Sequence, residues 1–96
     1  MTKTRLTLHA QTRAQQRGIP PVIQDWLLHY GERLHDHRGA MIRFFSKRSL
    51  RRLERAEGNL PVRQYAEHLR SYLVQAVDSG AVITIGRRYP GRRIFR

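Results

Sequence analysis

The sequence predicts a single α+β domain. Three observations lead there. Apolar residues recur at helical spacing in the first third of the chain and again past its middle, two pairs of β-rich runs flank turn-forming residues, and 96 residues leave room for one modest core.

Residues 8–17 read as the first helix, with Thr7 as N-cap and Gly18 as the stop. Ala10 and Ala14 turn inward, whereas His9, Arg13 and Arg17 recur every fourth residue and so form one row on the helix surface. A second helix opens at Pro20 or Pro21, where a missing N–H costs little, and ends at Tyr30 before Gly31. Val22, Ile23, Trp26, Leu27 and Tyr30 make its core-facing stripe.

Residues 33–37 and 40–46 then read as extended segments joined by Asp36-His37-Arg38-Gly39, a hairpin in which His35 and His37 share a face. Residues 47–57 read as a short, mostly exposed helix ending at Gly58, with Leu50, Leu53 and Ala56 as its thin apolar line. Pro61 opens another helix, to Arg70, with Val62, Tyr65, Ala66 and Leu69 inward. The runs 72–77 and 81–86 flank Asp78-Ser79-Gly80, whose glycine suits the left-handed position of a bulged hairpin. Residues 87–96 hold five arginines and no acid, a basic tail whose Ile94 and Phe95 either complete the sheet or are left mobile.

Charge is where the composition departs from the ordinary. Lys and Arg number 19 against 7 Asp and Glu, a formal net charge of +12 and a pI near 11.6. A domain so basic attracts polyanions. Seventeen of the cations are arginine, with Lys3 and Lys47 the only lysines, and arginine favours planar bidentate contacts to phosphate. With 40% apolar residues the chain is too hydrophobic for a disordered tail.

The absence of cysteine removes disulfides and thiolate metal sites, and the opening residues lack an apolar run of signal-peptide length, so the expected location is the cytoplasm, with no membrane association. No Ser-His-Asp order, P-loop or glycine-rich phosphate cradle is present, and no cofactor is implied. His35-x-His37 lacks a convincing third ligand, so no metal site is expected. The two prolines between the first helices, and the apolar second helix, speak against a helix-turn-helix.

RNA is therefore the expected partner. Three basic regions, the first-helix row, the 47–55 run and the 87–96 tail, are expected to converge on it through Arg48, Arg51, Arg52, Arg55, Arg87, Arg88, Arg92 and Arg93, with Tyr89 available to stack on bases and Tyr72, which starts a strand, readable equally as stacking or as core. Metal-free RNA cleavage needs a base, an acid and cations around the phosphorane, roles that histidine and arginine fill. The candidate catalytic set is His9, Arg13 and Arg17, backed by His35 or His37. The plainer reading, His9 as a helix buttress and the other two as surface residues, stands beside it.

The segment from His9 to Ile19, HAQTRAQQRGI, followed by a short helix and strands, resembles an uncharacterised small bacterial family that opens with His-Ala-x-x-Arg-x-x-x-Arg-Gly-Ile. That family is grouped with the RelE and ParE-like toxins, in the fold they share with barnase-type and colicin-type ribonucleases. The likeness covers the opening helix and, loosely, the hairpin over 72–86; residues 47–70 have no counterpart in it. It implies N-terminal helices packed on an antiparallel sheet, and an mRNA-cleaving toxin controlled by an antitoxin. It also implies working residues on the sheet's open face and just after its last strand, nearest Arg87, Arg88 and Tyr89, with His9, Arg13 and Arg17 on the opening motif. The alternative is a non-enzymatic basic module that binds an antitoxin or other acidic protein.

Overall fold

Thr7 ties the approach to the first helix to the strand over 82–87. Its hydroxyl accepts the Ala10 N–H at 3.1 Å, as an N-cap does, and donates to the Ile83 carbonyl at 3.0 Å. Its main-chain N–H reaches the Val82 carbonyl, beside a parallel bridge between Leu6 and Val82. The computed structural model describes residues 6–87.

The elements run α1 (Leu8–Gln16), α2 (Pro21–Tyr30), β1 (Glu32–His35), β2 (Ala40–Phe44), α3 (Lys47–Glu57), α4 (Asn59–Gln64), a 3-10 turn (Ala66–His68), β3 (Ser71–Ala76) and β4 (Val82–Arg87). The strands form one antiparallel sheet in the order β1-β2-β3-β4. Helices before and between the strands, packed on an antiparallel sheet, make this the α+β fold that the pattern predicts.

Register decides which side chains face the helices. Arg33, Arg43, Leu73 and Ile85 stand in one row across the four strands. Leu73 and Ile85 are buried, so this row lies on the core side. An irregularity between Val74 and Gln75 turns Val82 to the same side, where it too is buried. α1 packs on β4 through Ala10 and Ala14, and α2 crosses β2 and β3 with Ile23, Trp26 and Leu27 in the same core. On the other side of the sheet the Tyr72 ring lies over its cross-strand partner Gly86, where an added Cβ would come within 3.0 Å of the tyrosine Oη.

Two segments differ from their sequence reading. The helix expected from Pro61 to Arg70 begins earlier, at Asn59, and stops at Gln64. Beyond it the chain tightens into the 3-10 turn, with the His68 N–H on the Tyr65 carbonyl and the Leu69 N–H on Ala66. Tyr65 meets Trp26 edge to face at 5.6 Å, and Ala66 is exposed rather than inward. In α3 the buried line is Ser49 and Leu53, with Ala56 exposed. Ser49 is buried because it closes a reciprocal capping box with Ser46, each hydroxyl accepting the other's main-chain N–H.

Candidate nucleic-acid interface

A helix leaves its last carbonyls unsatisfied, and its C-terminal end carries partial negative charge. At the end of α2 those carbonyls are met by arginines from two other elements. Arg43, on β2, donates from Nε to the Leu27 carbonyl at 3.1 Å and from Nη2 to that of Leu28. Arg52, on α3, donates from Nη2 to the Tyr30 carbonyl at 3.0 Å. The close approach here calls for glycine at position 31, since an added Cβ would sit 2.5 Å from the Leu27 oxygen.

Arg33 adds a third guanidinium, as the direct cross-strand partner of Arg43. With Arg43 and Arg52 it lines a cleft of about 620 Å³, walled on the α2 side by Leu28, His29 and Gly31. Burial, and then the neighbouring Arg33 charge, push the Arg43 guanidinium below its ordinary value. Guanidinium remains charged throughout the range in which proteins fold.

The one acid lining this cleft, Glu32, is already engaged. Its Oε1 accepts from the Ser46 hydroxyl at 2.9 Å and from Arg48 Nε at 3.1 Å. Those two hydrogen bonds, Arg48 first, hold its carboxyl below the usual glutamate range. Among the described residues, Arg33, Arg43 and Arg52 have no carboxylate within ion-pairing distance.

His29 stands on the rim. Its Nδ1 lies 2.8 Å from the Asp25 carbonyl oxygen, a position only an N–H can fill. Nε2 is therefore the nitrogen left to meet a ligand.

α3 carries the basic surface outward from this cleft. Lys47, Arg48, Arg51, Arg52 and Arg55 are all exposed, so four of the predicted nucleic-acid residues lie on one helix whose Arg52 reaches the cleft. On the same helix Glu57 is taken up by the Tyr30 hydroxyl, which donates to it at 2.9 Å and whose own pKa is raised by that contact.

The α1 row and the two hairpin histidines lie elsewhere. The α1 row sits beside β4, with His9 exposed and Arg13 and Arg17 half-buried; Arg17 Nε is buried and has no hydrogen-bond partner among the described residues. His35 and His37 stand at the opposite edge of the sheet, so the sheet order does not bring them to the row they were expected to back. Nor do these two share a strand face: β1 ends at His35, and His37 occupies a left-handed turn position, φ 61°, inside a loop held by Asp36. Of the third basic region only Arg87 is among the described residues.

Arg87 belongs to β4 rather than to a tail. Its Nη2 lies 3.0 Å from Nδ1 of the buried His68, and since guanidinium offers no acceptor, that ring nitrogen must accept. Nε2 of His68 then carries the proton, 3.5 Å from the Glu67 carboxylate. Arg88, Tyr89, Arg92 and Arg93 lie outside the described residues.

Sequence reading missed Arg33, Arg43 and His29. The available signal was the hairpin itself: Arg33 and Arg43 lie five residues either side of Arg38, so a turn centred there pairs them. Comparison of the chain with protein-family models, characterised proteins and solved structures finds no match.

Proposed function

We propose that this chain is an RNA-binding, toxin-like domain that grips the phosphate backbone with the exposed arginines of α3 and the arginine cleft beside it. The observation that carries this reading is the convergence of Arg33, Arg43 and Arg52 from three elements, with no unengaged acid among the cleft's lining residues. Arginine forks match phosphate oxygens in pairs, and several acting together release counterions from the nucleic acid. The toxin-like part rests on the opening motif and the α+β architecture, with an antitoxin or other acidic protein as the expected counterpart.

The test is binding of a short single-stranded RNA by the purified chain across a salt series. Four arginines on phosphates give a slope of log affinity against log salt of about −3. Flat, salt-independent or absent binding removes the RNA reading and leaves the acidic-protein module. Expression in bacteria tests the toxin-like role: growth arrest supports it, and unaffected growth counts against it.

A further inference from the structure

We propose that the cleft at the end of α2 receives a phosphomonoester, the terminal phosphate of an RNA strand, in preference to an internal phosphodiester. This rests on the RNA-binding reading and specifies what the cleft itself selects.

Charge sets the preference. Three guanidinium groups line the cleft, and its one carboxylate is matched by Arg48 and Ser46. An internal phosphodiester brings one negative charge, whereas a terminal phosphate carries about −1.5 to −2 at neutral pH and three acceptor oxygens. The Arg33–Arg43 cross-strand pair sets two like charges opposite each other, an arrangement that costs stability until an anion lies between them. A dianion relieves more of that repulsion than a monoanion.

Donor supply and rigidity point the same way. A guanidinium has five N–H groups. Arg43 commits two of them to the Leu27 and Leu28 carbonyls and Arg52 one to Tyr30, so most donors on each remain for a ligand. Those main-chain bonds also hold the two guanidinium planes in place before binding, which lowers the ordering cost of forming several hydrogen bonds at once. The negative end of α2, which would otherwise repel an anion, is already answered by the same two arginines.

The experiment measures anisotropy of one internally labelled RNA oligonucleotide in three forms: 5′-phosphate, 3′-phosphate, and hydroxyl at both ends. The full chain is expected to bind one phosphorylated form about tenfold more tightly than the hydroxyl form, a margin of roughly one charge-assisted hydrogen bond. Inorganic phosphate should compete that margin away, and Arg33→Gln and Arg52→Gln should each reduce it, with circular dichroism confirming that the variants fold. Equal affinity for the three forms overturns the terminal-phosphate inference and leaves the RNA reading standing. No binding to any form overturns both.

Discussion

Arg33 and Arg43 face each other across the β1–β2 ladder, two guanidinium groups in one row, neither ion-paired with a carboxylate among the described residues. Directly opposed like charges on a sheet cost about 0.2–1 kcal/mol. Arg33 is exposed and makes no hydrogen bond among the described residues, whereas Arg43 anchors the end of α2. Arg33→Gln should therefore raise the melting temperature at low salt by about 1–5 °C for a domain of this size. The same variant should lose most of the stabilisation that wild type gains from added phosphate. Thermal melts with and without phosphate read both effects, and a variant that melts below wild type contradicts the assigned repulsion.

Gly31→Ala acts on the same place from the main-chain side. A Cβ there would lie 2.5 Å from the Leu27 carbonyl oxygen, an atom that accepts both the Gly31 N–H and Arg43 Nε. The end of α2 has to shift, and forcing atoms into a packed site costs about 1–3 kcal/mol. Chemical denaturation should show a loss in that range, with RNA affinity falling in the fraction that stays folded. Wild-type stability would mean that the turn accommodates a side chain.

Acid should weaken the fold through Glu32. Its carboxyl is held below the ordinary glutamate range by hydrogen bonds from Arg48 and Ser46, so the folded state takes up that proton less readily than the unfolded chain. The stabilisation is complete above the ordinary value and disappears as pH falls through the lowered one. Glu32→Gln should flatten part of the acid limb in melts taken between about pH 6 and pH 2.5, with no new dependence above it. An unchanged acid limb would detach Glu32 from acid stability.

The helices and strands were legible where a local rule was strong. Thr7 caps α1, Gly31 and Gly58 end α2 and α3, and Gly80, at φ 76°, turns the last hairpin, each as the sequence suggests. The 59–70 region was less legible because tertiary contacts override its helical spacing: Tyr65 turns onto Trp26, and His68 onto Arg87. The α3 arginines were readable as an exposed run, but their meeting with Arg33 and Arg43 depends on hairpin register and on where α2 ends. His29 gave no signal in sequence, since its place is set by the Asp25 carbonyl one turn earlier.

Along α3 the contribution of each cation should be separable by salt. Replacing Arg51 or Arg55 with Gln removes a contact to a single-stranded backbone and should lower the salt slope of RNA binding by about 0.7 each. Binding isotherms at several salt concentrations measure this; a slope unchanged in both variants would place the RNA elsewhere on the molecule.

The most direct measurement compares two variants that lose the same charge. Arg33→Gln with Arg52→Gln empties the cleft of two cations, while Arg63→Gln with Arg70→Gln removes two exposed arginines outside it. At one fixed salt concentration the cleft variant should bind RNA about tenfold or more weakly than wild type, and the control variant within about threefold. Equal losses from the two variants would mean that net charge alone, and no arginine cleft, holds the RNA.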